Sequence, residues 1–265
     1  MYDFNYHRAG SVDDAAEKLK AAEDGKLVAG GMTLLPTLKQ RLASPSDLID
    51  LGDVSDLAGI SSDGNSVSIG AMTTHAAVAE SAEVRSAIPA LADLAEGIGD
   101  PQVRHRGTIG GSIANNDPAA DYPAACIGLG ATIVTNTREL SADDFFTGLF
   151  DTALEEDEVV TSVRFPKPKR AAYMKFPNPA SRYALVGVFV AETNDGVRVA
   201  VTGAGEDGVF RVADMESALA GNFAPGAVEN ISISPDDLNS DIHASAEYRA
   251  HLVTVMAKRA VAAAG

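Results

Sequence analysis

The sequence predicts an α+β protein, and three observations carry the prediction. Residues 1–55 read as a small β–loop–α–β unit, residues 56–168 mix short strands with helices, and residues 172–265 change character to strands closed by a long terminal helix. Between the last two lies "PKPKRAAYMKFPNPAS", rich in proline and basic residues, which places a boundary at about 167–172. At 265 residues the chain is long enough for two or three small domains, and it carries no internal repeat or low-complexity tract.

Each element has its local reason. "SVDDAAEKLKAA" opens on Ser11 as an N-cap, with acids in the first turn and lysines later, as the helix macrodipole favours. "KLVAGG" is a short strand ending in two glycines, "TLLPTLKQRLA" a helix and "DLIDLG" a second strand. "SVSIGAMTTHAAVAES" reads as a strand, a turn at Gly70 and a helix capped by Thr73 or Thr74. "EVRSAIPALADLAEGIG" reads as one long amphipathic helix, and the polar stretch that follows it as a loop. "YPAACIGLGATIVTN" passes from helix to strand, and "EDEVVTSVRFP" is a strand ending at Pro166. In the last third, "YALVGVFVAET" and "VRVAVTGAG" are strands, "VFRVADMESAL" steps from strand to helix, and "AEYRAHLVTVMAKRAVAAA" is the terminal helix.

Composition excludes several functions. A net charge of −16 argues against nucleic acid and anionic membrane as partners. One cysteine, Cys126, cannot form an intrachain disulfide or hold a cluster alone, and the five histidines show no metal-ligand spacing. No apolar run reaches the ~20 residues of a membrane span, and "MYDFNYHRAG" lacks a signal-peptide pattern, so a cytoplasmic location is expected. No Ser-His-Asp order is present, and no catalytic residue is assigned.

Two glycine turns carry the chemistry. In "LVAGGMTLLP" a strand runs into Gly30-Gly31 and then a helix-forming segment, an arrangement that exposes main-chain N–H groups to phosphate oxygens. Taken alone, such a turn is more often a simple connection. "RHRGTIGGSIANNDPAADYPAA" repeats the pattern at Gly107, Gly110 and Gly111, with hydroxyls at Thr108 and Ser112 and charge from Arg104 and Arg106. Two such turns could clamp a diphosphate from both sides, with Gly110 open to the phosphate so that a valine there would occupy its place. Asp117 either caps the next helix or contributes a polar group, and Asp121 is placed to accept from a ribityl or ribose hydroxyl. "GAGEDG", 203–208, matches G-x-G-x-x-G but carries two acids and continues as a strand, which excludes a phosphate turn.

"AGGMTLLPTLKQRLASPSDLIDL", "GDPQVRHRGTIGGSIANNDPAADYPAA" and "YRAHLVTVMAKRAV" together closely resemble the FAD-binding medium subunit of molybdenum hydroxylases, the group of carbon-monoxide dehydrogenase and the flavin domain of xanthine dehydrogenase. The resemblance runs from about residue 2 to the C-terminus. It implies two FAD-enclosing subdomains of the vanillyl-alcohol-oxidase (PCMH) type, 1–55 and 56–168. It also implies a C-terminal domain, 172–265, with a small antiparallel sheet and helices.

By that resemblance Leu27, Val28, Ala29, Gly30, Gly31, Met32, Thr33 and Leu34 would cradle the pyrophosphate side. Thr108, Ile109, Gly110, Gly111 and Ser112 would form the second diphosphate loop, with Asp117 and Asp121 beyond it on the cofactor chain. Val160 and Lys175 match positions at the adenine half and the isoalloxazine surroundings, and Tyr183 falls near the flavin ring. Met32-Thr33 and Asn115-Asn116 depart from the family's usual pairs. The implied function is electron transfer from the clusters of a [2Fe-2S] small subunit through FAD to an external acceptor. A molybdopterin-binding large subunit would do the hydroxylation, in a dimer of heterotrimers. A stand-alone flavin oxidoreductase and a non-catalytic nucleotide-binding module are the alternatives.

Overall fold

Strand β1 (Asn5–Arg8) leads into helix α1 (Val12–Ala21), whose start is fixed by Ser11 Oγ accepting from the Asp14 amide. This is a computed structural model, and it describes residues 1–265. Strand β2 (Gly25–Val28), helix α2 (Leu34–Lys39) and strand β3 (Asp47–Asp50) complete a three-stranded parallel sheet in the order β1–β3–β2. Helix α2 is shorter than the sequence suggests, because the chain leaves it at Gln40 and Arg41 turns left-handed (φ 61°). Ile49, Leu51 and Ala15 form a small core with Leu57 and with Val159 from much later in the chain.

Strands β4 (Ile60–Ser62) and β5 (Ser66–Gly70) begin a second sheet. Six helices follow before it resumes: α3 (His75–Glu80), α4 (Ala82–Ala87), α5 (Pro89–Glu96), α6 (Pro101–Arg104), α7 (Ile109–Asn115) and α8 (Tyr122–Leu129). Thr74, not Thr73, caps α3 by accepting from the Ala77 amide. The helix expected as continuous breaks at Ile88 (φ −144°, ψ 71°). Pro89 lacks an N–H and pushes the preceding residue out of the helical region, so the apolar period continues while the helix does not. Strand β6 (Thr132–Thr135), strand β7 (Glu139–Ser141), helix α9 (Ala142–Phe145), the hairpin of β8 (Phe146–Gly148) and β9 (Asp151–Thr152), and β10 (Val160–Pro166) complete the region. The sheet is antiparallel in the order β4–β5–β10–β6–β7.

The third sheet is antiparallel and in sequence order: β11 (Arg170–Pro177), β12 (Ala184–Thr193), β13 (Gly196–Gly205) and β14 (Gly208–Arg211). The basic, proline-flanked stretch read as a boundary therefore runs into a strand. The G-x-G-x-x-G match forms the β13–β14 hairpin and opens no helix. Helices α10 (Ala213–Gly221), α11 (Pro225–Val228) and α12 (Ala246–Ala264) follow, with Leu252, Val253 and Met256 of α12 packed on Val188, Val190 and Val201. Helix α8 is buried along its whole length and shares a core with Phe189, Ala191 and Ala200, so the all-apolar "YPAACIGL" is a helix covered on every side. No helix is long and apolar enough to cross a membrane.

Candidate functional site

Both glycine turns open onto one cavity of about 630 Å³, within the range of small-molecule sites. The turns touch. A Cβ on Gly30 would lie 2.0 Å from the Arg106 carbonyl oxygen and 2.8 Å from Gly107 Cα, and a Cβ on Gly111 would lie 3.6 Å from that of Ala29. Gly31 is left-handed (φ 71°) and turns the chain from β2 into α2. The second turn also lies along the segment after β5. His75 N donates to Gly107 O (2.9 Å), Ile109 N to Thr73 O (3.1 Å) and Gly110 N to Ala71 O (2.9 Å). Three chain reversals thus meet where the sequence placed two.

The amide groups of the two turns differ. Gly30, Gly31, Met32, Thr33 and Leu34 donate no main-chain hydrogen bond within the protein, giving five consecutive free donors at the start of α2. In the second turn every amide from Ile109 to Ser112 has a partner. Ile109 and Gly110 bond as above, Gly111 N donates to Thr108 Oγ1 (3.2 Å) and Ser112 N to Thr108 O (3.0 Å). The reading of two turns with bare amides is therefore corrected, because the Ile109 and Gly110 donors go to the Thr73 and Ala71 carbonyls and those of Gly111 and Ser112 to the capping Thr108. Gly110 lines the cavity with its main chain, but a side chain there would not enter the cavity unhindered, since its Cβ would meet Ala71 Cβ at 2.5 Å and Ala71 O at 2.8 Å. The second turn lines the cavity with Gly107, Thr108, Gly110, Gly111, Ser112, Ala114 and Asn115. The side chains of Ser112 and Asn115 have no protein partner within hydrogen-bonding distance.

Of the other sequence-designated residues, Leu27, Ala29, Asp117, Asp121, Val160 and Tyr183 line the cavity. Val28 and Ile109 do not, and Ile109 is wholly buried in the main core. Lys175 stands behind the wall. Its Nζ donates to Asp121 Oδ2 (3.0 Å) and to Gly97 O (2.8 Å), and Tyr173 Oη donates to Asp121 Oδ1. Asp121 is 5% exposed, and burial raises its carboxyl while Lys175 and Tyr173 oppose the rise. Asp117 Oδ1 accepts from the Ala119 amide (2.9 Å), and burial raises this carboxyl too. Tyr183 is 45% exposed, and burial, then Asp117, raise its hydroxyl while Thr33 lowers it.

The floor near Val160 is fixed by Glu158. Its carboxylate takes Arg138 Nε (2.9 Å) and Nη2 (2.8 Å), Thr135 Oγ1 (2.6 Å) and the Glu155 amide (3.0 Å). The Arg138 bonds lead in holding this carboxyl down at about 2. The lining carries five acids, Asp117, Asp121, Glu155, Glu156 and Glu158, against two basic side chains, Lys26 and Arg182. A diphosphate here is met mainly by neutral main-chain donors, which is the task the open amides of residues 30–34 fit.

His75, which carries no motif, lines the cavity and is 5% exposed with Nδ1 unpartnered. Burial, then Arg104, holds its imidazole down to about 4. The folded chain therefore keeps His75 neutral between about pH 4 and 6.5 while the unfolded chain protonates it. Stability from this group is full above pH 6.5 and falls as the pH drops toward 4. Urea unfolding should show a loss of about 2 kcal/mol at pH 5 relative to pH 7, from 1.36 kcal/mol per unit. A His75→Gln chain should lose that share of the pH dependence.

The residues present suit a flavin dinucleotide. The cavity offers a run of free amides for a diphosphate, unpartnered hydroxyl and amide groups beside it, buried carboxylates for hydroxyls, and an aromatic side chain at its rim. Residues 2–168 match the family described as the FAD binding domain in molybdopterin dehydrogenase. The nicotine 6-hydroxylase medium subunit of Paenarthrobacter nicotinovorans is 38% identical over 274 residues, covering 98% of this chain and 96% of that one. The carbon monoxide dehydrogenase medium chain of Hydrogenophaga pseudoflava is 36% identical, with the same coverage. Among solved structures, carbon monoxide dehydrogenase from Hydrogenophaga pseudoflava superposes with a TM-score of 0.92 at 37% identity, covering 98% of this chain and 96% of that chain. Quinoline 2-oxidoreductase from Pseudomonas putida 86 gives 0.89 at 30% identity, covering 99% and 96%. The chain belongs to the FAD-binding medium-subunit family of the molybdenum hydroxylases.

Proposed function

We propose that this chain holds FAD and relays electrons within a molybdenum hydroxylase, as an oxidoreductase subunit that does not itself hydroxylate. The observation that carries the reading is the run of five free amides, Gly30 to Leu34, facing the second glycine turn across one cavity. In this reading those amides take the diphosphate, aided by Thr108, Gly111 and Ser112. Asp121 accepts a hydroxyl of the ribityl chain, and Lys175 holds its charge. Val160 packs by the adenine half and Tyr183 by the ring. The chemistry that FAD supplies when bound is storage of two electrons that arrive singly. The residues around it orient it, exclude water and set its potential.

The partners in this reading are a molybdopterin-binding large subunit and a small subunit with [2Fe-2S] clusters, in a dimer of heterotrimers in the cytoplasm. Relatives named as medium chains or medium subunits support such partners. A tagged chain recovered from its own cells should carry one FAD per chain, with iron and molybdenum in the same particle. A yellow preparation without iron and molybdenum would favour a self-contained flavin oxidoreductase. A colourless preparation would overturn both readings.

A further inference from the structure

The loop joining β11 to β12 hangs over one end of the cavity and contributes Ser181, Arg182 and Tyr183 to its lining. It is tightly braced. Asn178 Oδ1 accepts from the amides of Ala180 (2.9 Å) and Ser181 (3.2 Å), Asn178 N donates to Tyr183 O (2.7 Å), and Arg182 N donates to Asn178 O (2.9 Å). Arg182 itself is left-handed (φ 63°), a conformation that a long side chain rarely adopts. Residues held this way tend to cluster where a ligand is handled.

Charge gives Arg182 its role. The cavity's other cation, Lys26, is paired with Asp24 at 3.1 Å. Arg182 makes no ion pair, and its one side-chain bond is a long one, 3.4 Å, to Gly99 O, which Arg104 already holds at 3.0 Å. It is therefore a guanidinium with spare donors in a lining whose charged side chains are mostly carboxylates. Its neighbours also fix which end it serves. Leu51 and Val159 of the cavity lining belong to the small N-terminal core and Leu27 packs against it, whereas Arg182 reaches to Gly99 and adjoins the half-exposed Tyr183. In a dinucleotide the diphosphate separates two ring systems. In the reading above Tyr183 stands by the flavin ring, and Arg182 beside it serves that end.

We propose that Arg182 is the charge-compensating residue of the flavin ring, favouring bound FAD in its reduced over its oxidised form. The inference rests on the FAD reading above. Uptake of two electrons from the partner's iron–sulfur donor and one proton from solvent leaves the ring with one more negative charge. A guanidinium stays protonated throughout and attracts that charge from the cavity's exposed rim, where solvent screens it only in part. Arg182 acts on the potential, and no bond is made or broken at its side chain.

The test compares wild type, Arg182→Gln and Arg182→Lys in the assembled complex, measuring oxidised-FAD affinity and the two-electron flavin potential by redox titration. Arg182→Gln should weaken reduced FAD about tenfold more than oxidised FAD, which is a potential lower by about 30 mV for a two-electron couple. Arg182→Lys, which keeps the charge, should recover most of the shift. An unchanged potential in Arg182→Gln would overturn the inference. So would equal weakening of both redox forms, which is the mark of a diphosphate contact or of a loop support. A wild-type complex without FAD would instead overturn the reading beneath it.

Discussion

A Gly30→Val chain is expected to purify without FAD and to unfold more easily than wild type. The first atom of any side chain at this position would stand 2.0 Å from the Arg106 carbonyl oxygen and 2.6 Å from its carbon. Both are main-chain atoms, so no rotamer change relieves the overlap, and the two turns must part. Overpacking typically costs 1–3 kcal/mol, and a main-chain collision belongs at about 3 kcal/mol. Parting the turns also moves the free amides of residues 30–34 off the second turn, so loss of FAD follows even where the rest of the chain stays folded. Flavin absorbance per chain, with circular dichroism and a thermal melt, separates the two effects. Gly111→Ala is the contrast, because its Cβ would stand 3.0 Å from Thr108 Oγ1 and reach ordinary contact with Ala29. It should fold normally and bind FAD more weakly. Retention of full FAD by Gly30→Val would show that the turns need not touch.

Lys175→Met is expected to cost stability on the scale of a broken buried ion pair, about 3–5 kcal/mol. Lys175 and Asp121 have side chains only 9% and 5% exposed, and the lysine also satisfies the Gly97 carbonyl. Removing it leaves a buried carboxylate with only Tyr173 as its donor, and burial then drives that carboxyl toward its protonated form. The loss should show in urea unfolding of the FAD-free chain at pH 7. The double variant Lys175→Met, Asp121→Leu should recover part of it, because no charge is then stranded. Recovery without FAD binding would separate the structural use of the pair from its use toward the cofactor. A loss under 1 kcal/mol would mean that water reaches the pair.

Much of the N-terminal unit was legible because its signals are local. Ser11 with its charge order, the strand before Gly30 and the alternation over 47–50 each act within a few residues. The glycine turns were legible as a pair because glycine in quantity beside hydroxyls has few other uses. Their division of labour was not. Whether an amide is free depends on what lies opposite, and the Ala71 and Thr73 carbonyls that take the Gly110 and Ile109 donors are more than thirty residues away. For the same reason Gly110 reads in the sequence as leaving room beside it, while in the fold Ala71 stands where a Cβ would go.

Helix α7 was hidden inside a polar loop because it is short and its apolar residues, Ile109 and Ile113, are widely spaced among small polar ones. Strand β11 was hidden by its prolines and basic residues, although its register against β12 runs unbroken from Arg170 to Phe176. His75 and Arg182 carry no motif at all. One is marked only by burial without a partner, the other only by a left-handed backbone and a missing ion pair, and both are properties of the folded chain.

The most direct measurement is amide hydrogen exchange across residues 28–36 and 107–113, with and without saturating FAD. The free donors of Gly30, Gly31, Met32, Thr33 and Leu34 should exchange fast without FAD and slow by at least tenfold with it, while Ile109 to Ser112 should be protected in both states. Fast exchange at residues 30–34 in the FAD-saturated protein would place the diphosphate elsewhere and contradict the site described above.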